Sequence, residues 1–159
     1  DHYDAELGAV DRLVADVLSV LPSGACLVVT ADHGQVDVGD RIVELHADVM
    51  ANVSFQSGEG RFRWLHARPG RVDALLNAAR THHGEGAWVR HRDETIDDGW
   101  WGEKVTDAAR NRLCDGALVA RDPISFHDPA DSGPFNLIGR HGSLTAAEMY
   151  VPLLVGTPR

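Results

Sequence analysis

The sequence predicts an α/β body interrupted by an inserted α+β lobe. Three observations point there: an amphipathic helix followed at once by a buried strand, a middle region of short strands around one helix, and a return to the first texture at the end. In "AELGAVDRLVADVLSVLP" the apolar residues Leu7, Val10, Leu13, Val14, Val17, Leu18 and Leu21 recur at three- and four-residue steps, the spacing of one helical face. Pro22, Ser23 and Gly24 end it. "ACLVVTA" is then a continuous apolar run without alternation, as expected of a strand covered on both faces in a parallel sheet. A polar loop opens at its carboxyl end, where α/β sheets place their ligands. Residues 1–42 are read as the first part of the body.

Residues 43–131 are read as the inserted lobe. "NVSFQ", "RFRWLHA", "AWVRHR" and "GALVA" are its strand candidates, two of them alternating between apolar and polar positions. "RVDALLNAARTHHG" is a helix closed by Gly84, offering Val72, Leu75, Leu76 and Ala79 to cover one face of a small sheet. Residues 132–159 return to the body. There Thr145 with Glu148 fits a capping box, and "YVPLLV" is a second buried strand whose Pro152 favours an edge or the start of pairing. No internal repeat or low-complexity segment is visible.

At 159 residues and 43% hydrophobic content, the chain suffices for one domain with a core, or for part of a larger one. A formal charge of -9 excludes a surface that binds nucleic acid through its phosphates, which needs a basic footprint. A small phosphorylated substrate is compatible with that charge if metal ions supply the positive field. Cys26 and Cys114 both border apolar runs and read as buried free thiols, without a disulfide framework or a CxxC pattern. No segment has the ~18 consecutive apolar residues of a membrane span, and no signal peptide is visible.

The chemistry concentrates in two places. In "VVTADHGQV" Asp32 and His33 sit where an apolar strand ends and a glycine follows, and in "GRHGS" His141 lies between two glycines that let an imidazole face a cleft closely. Either motif alone is weak. Placed at the two returns of the body to one sheet edge, Asp32, His33 and His141 together are a better functional candidate than either motif, as metal ligands or as the polar start of a turn. Trp100 and Trp101 either line a substrate cleft by stacking or pack into the interior. Arg140 either pairs with a phosphate oxygen or is a solvated loop residue. His82 and His83 close a polar helix and read as solvated, and Asp1 and His2 read as surface residues.

With "AELGAVDRLVADVL" in front, "VVTADHGQ" and the later "GRHGSLTAAEMYVPLLV" closely resemble the C-terminal part of the type I phosphodiesterase and nucleotide pyrophosphatase family of the alkaline phosphatase superfamily. The resemblance covers both ends of the chain well and the insert poorly. It implies an alkaline phosphatase-like parallel-sheet body and two divalent metal ions, zinc in that family, in the complete enzyme. It assigns Asp32 and His33 to the ion that activates the nucleophile and His141 to the other. The family's threonine or serine nucleophile, its first metal-binding aspartate and an Asp-x-x-x-His pair all precede the first helix and have no counterpart here. No catalytic residue is therefore expected in this chain, which by itself should be inactive. The implied reaction is hydrolysis of a phosphodiester or nucleotide pyrophosphate. A phosphomonoesterase, phosphonate hydrolase or phosphomutase of the same superfamily is the alternative, or a non-catalytic binding lobe on the same scaffold. A sheet edge left without strands is expected to associate with further polypeptide.

Overall fold

A computed structural model describes residues 2–131 and 137–158. Along the chain run α1 (His2–Val20), β1 (Leu27–Thr30), β2 (Val36–Asp37), β3 (Ile42–Val43), α2 (Ala47–Met50), β4 (Val53–Glu59), β5 (Phe62–Ala67) and α3 (Val72–His83). Then come β6 (Ala87–His91), α4 (Arg92–Asp97), α5 (Asp107–Arg110), β7 (Gly116–Ala120), β8 (Ser125–Phe126), β9 (Gly139–Arg140), α6 (Ala146–Met149) and β10 (Leu153–Gly156). The class is α/β, with both parallel and antiparallel strand pairs. The elements form two compact units, one made of the chain up to Asp32 together with the chain from Val151, the other running from His33 to Tyr150. Asp1 lies outside the described residues, and His2 is exposed.

The first unit holds α1, β1 and β10. β1 and β10 pair antiparallel, Leu27 opposite Gly156 and Thr30 opposite Leu153, so pairing begins one residue after Pro152, which has no N–H to give. Leu18 of α1 packs against Gly156, where a Cβ would come within 3.2 Å of its side chain. The helical period of α1 is as the sequence predicts, yet none of its residues is buried. Val28, Leu153, Leu154 and Val155 are also exposed, so the apolar runs expected to be covered on both faces are not covered by the described residues. Cys26, expected to be buried, is exposed with them. An unalternated apolar run reports that a strand tolerates burial, and says nothing of its direction or of what covers it. The parallel direction is carried, among the described strands, by β3 and β8.

The second unit is built on a four-stranded antiparallel sheet in the order β4-β5-β7-β6. β7 lies inside it, and all five of its residues are buried. On one face α3 sets Leu75, Leu76 and Ala79 against Leu65, Val89 and Leu118. On the other, Phe62, Ala117 and Val119 pack with Trp64, Trp88 and Trp100. The alternation in "RFRWL" thus does not mark a solvent face, because Arg61 and Arg63 are themselves buried. Their guanidinium groups are supplied with acceptors: Arg61 donates to the carbonyls of Asp122 and Ile124, and Arg63 to the carbonyls of Phe126 and Gly58 and to the Asp131 carboxylate. Buried charge survives only on such terms.

Cys114, at the entrance to β7, is buried as expected and donates to the Leu65 carbonyl at 3.4 Å. Burial pushes its thiol up to about 12, so it stays protonated and unreactive at neutral pH. Labelling the native chain with a thiol reagent should therefore modify Cys26 quickly and Cys114 only on unfolding. Fast modification of both would contradict the packing at the start of β7.

Candidate functional site

β2 leaves the "ADHG" turn and β9 leads into the "GRHG" turn. They pair antiparallel, Val36 opposite Arg140 and Asp37 opposite Gly139, and the bond from Val38 N–H to the Ile138 carbonyl extends the pair. In an antiparallel pair the residues before one strand lie beside those after the other. His33 and His141 accordingly meet: their rings stack with centroids 3.7 Å apart and planes 10° from parallel. Two of the three predicted site residues are thus brought together. The third, Asp32, is exposed, precedes His33 in the chain and belongs to the other unit. His33 Nδ1 lies 2.7 Å from the Gly34 carbonyl oxygen. A neutral imidazole donates its Nδ1–H there, which makes Nε2 the lone-pair nitrogen that a metal would use.

One residue that the sequence reading placed only in a cap holds both histidine loops. Glu148, in α6, is 2% exposed. Its carboxylate accepts Arg61 Nε–H at 2.8 Å and Nη2–H at 2.9 Å, and also the Ser143 backbone N–H at 2.9 Å. Its own carbonyl accepts the Gly34 N–H at 2.8 Å. Gly34 directly follows His33, and Ser143 follows His141 by two residues, so the same residue fixes the backbone beside each imidazole. The Ser143 hydroxyl adds a bond to the Ala120 carbonyl, tying the second loop to the end of β7.

The capping box expected from Thr145 and Glu148 is altered accordingly. The Thr145 hydroxyl donates to the Glu148 carboxylate instead of accepting a backbone N–H, because the buried guanidinium has drawn that carboxylate inward. Burial would raise the Glu148 pKa, but the bonds from Arg61, Thr145 and Ser143 outweigh it and hold the carboxyl below its ordinary value. Gly34 is required for this packing, since a Cβ there would be driven into the Ala147 carbonyl oxygen. Arg61 and Glu148 were missed in the sequence; the available signal was the Arg-x-Arg spacing at a strand otherwise too apolar to face water.

Beside the second loop lies a cavity of about 290 Å³ lined by Glu59, Phe62, Trp64, Trp100, Trp101 and Gly142. Gly142 has φ 111, a conformation open to glycine, and a Cβ there would press on Glu59 Cβ at 3.0 Å. Trp101 stacks on Trp64 at 5.7 Å between centroids and anchors its indole N–H on the Thr95 hydroxyl at 2.8 Å. Trp100 packs with the Phe62 cluster and, with Trp101, which is 39% exposed, walls the cavity. Arg140 donates Nε–H to the Leu137 carbonyl at 2.9 Å.

No family model matches the sequence, and no curated protein matches it. Solved structures do. Murine ectonucleotide pyrophosphatase/phosphodiesterase 5 superposes with a TM-score of 0.67 at 19% identity, over 99% of this chain and 40% of that one. Its human counterpart gives 0.67 at 18% identity over the same shares. Phosphonoacetate hydrolase from Sinorhizobium meliloti gives 0.63 at 20% identity, over 91% of this chain and 38% of that one. The fold is therefore alkaline phosphatase-like, and the chain spans about 40% of the length of the phosphodiesterase structures it matches.

Breaking the Arg61–Glu148 pair tests the scaffold. The side chains are 0% and 1% exposed, so Glu148→Ala strands a buried guanidinium and should cost about 3–5 kcal/mol in urea unfolding. Because the folded pKa of Glu148 is depressed, its contribution is complete above the ordinary glutamate value of 4.5 and is lost as pH falls through the folded value. Glu148→Gln should flatten that acid limb of the stability profile. A Glu148→Ala variant within about 1 kcal/mol of the parent would show that the pair does not hold the loops.

Proposed function

We propose that this chain, with its alkaline phosphatase-like fold, supplies part of the two-metal site of a hydrolase acting on phosphodiesters or nucleotide pyrophosphates. The observation that carries the reading is the His33–His141 stack, two imidazoles from sequence-distant motifs held by one buried glutamate. The donor set fits: imidazole nitrogens and a carboxylate suit zinc, and the His33 tautomer presents Nε2. Asp32 and His33 would hold one ion and His141 the other. Bound there, the ions would supply Lewis-acid polarisation of a phosphoryl oxygen.

The chain's own residues position and enclose. Glu148 and Arg61 keep the two loops in register, and the aromatic cavity beside Gly142 offers flat surfaces on which the organic group of an ester can stack. A murine relative in fold was solved as an inactive variant with AMP, which favours a nucleotide as that group. The phosphonoacetate hydrolase likeness favours a second reading, cleavage of a phosphonate.

A catalytic zinc usually takes three protein ligands and a water, so two ligands for one ion and one for the other are too few. The nucleophile and remaining ligands are assigned to polypeptide preceding α1, and the exposed apolar residues of α1, β1 and β10 to contact with further polypeptide.

The test is to load the 159-residue chain and the product of the complete gene with zinc, and to assay each on a chromogenic phosphodiester and on phosphonoacetate. The expected result is diester turnover by the long form, abolished by His141→Ala, and none by the short one. Zinc-dependent turnover by the 159-residue chain at a comparable rate would overturn the assignment of missing ligands. Preference for phosphonoacetate would select the second reading. A long form that binds zinc and cleaves neither would leave a binding scaffold.

A further inference from the structure

A second group of metal-type donors lies where the β3–α2 connection meets the end of α3. His46 caps α2, its Nδ1 accepting the Asp48 N–H at 3.2 Å. Its ring stacks on that of His82, with centroids 3.5 Å apart and planes 10° from parallel. Asp48 Oδ2 lies 3.0 Å from His82 Nε2 and 3.5 Å from His46 Nδ1. One donor atom from each of the three residues falls within 4.8 Å of the others. His83 is the brace of the group: its Nε2 accepts the His46 N–H at 3.2 Å, and its ring meets Phe126 edge-on at 5.8 Å. His82 is exposed as expected and His83 is half-buried, and both make these contacts besides. The pairing spans 34 residues from Asp48 to His82, which is why no short motif announces it.

We propose that His46, Asp48 and His82 form a binding site for a divalent transition metal of the zinc class, made of residues distinct from Asp32, His33 and His141. Bonds of 2.0–2.2 Å in a tetrahedron set two ligands of one zinc about 3.3 Å apart, and the separations of 3.0 and 3.5 Å from the Asp48 oxygen lie either side of that value, His46 Nδ1 giving up its bond from the Asp48 N–H to bind. Two imidazoles and one carboxylate suit zinc, nickel or copper, and not calcium or magnesium, which take oxygen ligands. Three protein ligands leave a fourth position for water.

The two rings stack in parallel. An ion bonded to both imidazoles must lie in both ring planes, so one ring turns on binding. Room exists, since the side chains of His46 and His82 are 45% and 28% exposed. The ion would take the place of the hydrogen bond between His82 Nε2 and Asp48, the Nε2 proton of a neutral ring passing to Nδ1. The consequence is mechanical. α2 has only four residues and cannot persist alone, while its Val49 is fully buried in the core of the lobe. An ion shared with α3 would clamp it there.

The experiment titrates the chain with Zn2+ and Co2+, following cobalt absorbance, heat of binding and thermal unfolding, in the parent and in a background with Asp32, His33 and His141 replaced by alanine. The expected result is one equivalent that persists in that background, raises Tm, and binds roughly tenfold or more weakly after His82→Ala or Asp48→Asn. Should the background variant fold poorly, ring-nitrogen NMR of the parent decides, with zinc expected to shift His46 and His82. Absence of zinc binding, binding insensitive to His82→Ala, or shifts confined to His33 and His141 would each overturn the proposal.

Discussion

The buried ion pair between Arg61 and Glu148 is the constraint on which the rest of the larger unit depends. Two charges removed from water are costly, and their attraction offsets that cost only with full hydrogen bonding. Here the bonding is extensive: Arg61 has two carbonyls besides the carboxylate, and Glu148 has Ser143 and Thr145 besides the guanidinium. Arg61 is set at the turn between β4 and β5, and Glu148 lies in α6, so the pair ties the four-stranded sheet to the loop of His141. Through the Glu148 carbonyl and Gly34 it also reaches His33. A hydrophobic pair of equal volume could fill the same space, but it could not orient the Ser143 N–H or select a single angle for α6. Direction is what a bidentate guanidinium–carboxylate contact adds to burial.

The same strand shows how one alternating run serves two chemistries. Within β5, Phe62 and Trp64 point to the face that builds the aromatic cavity, while Arg63 and Leu65 point to the face covered by α3 and β8. A register slip of one residue would exchange them, burying the aromatics against the arginine acceptors and leaving the guanidinium groups without carbonyls. The pairing with β7, Phe62 opposite Val119 and Arg63 opposite Leu118, prevents it. The wall of the cavity and the anchor of the histidine loops thus follow from one register.

Local patterns made the elements legible. The period of α1, the apolar face of α3 and the central strand β7 all stand where their sequence texture places them, because helix and strand spacing are properties of a few residues. The meeting of His33 with His141 was expected at one sheet edge of the body; it arises instead from the pairing of β2 with β9 within the larger unit. Cys26, the strand partners of β1 and the solvent side of "RFRWL" were not legible, because each depends on what packs against it. Arg61 reads as surface until its acceptors, provided by residues 122, 124 and 148, are known. His46, Asp48 and His82 were illegible for the same reason: their proximity is created by the packing of α2 on α3.

The charge balance adds an argument for ions at the His33–His141 site. The chain carries a formal charge of -9, and a phosphate ester brings more negative charge to any site it enters. Arg61 is wholly buried, with its guanidinium bonded to Glu148 and to the carbonyls of Asp122 and Ile124. Arg140 has Nε engaged by the Leu137 carbonyl and lines a different cavity from the aromatic one. Under the proposed function, ions held by the chain would meet that phosphoryl charge. Imidazoles suit that task, since they contribute lone pairs without adding negative charge of their own, and the carboxylate of Asp32 adds only one. The buried glutamate keeps its own charge neutralised by Arg61 while it positions both loops, so under the proposed function it would not repel an anionic ester.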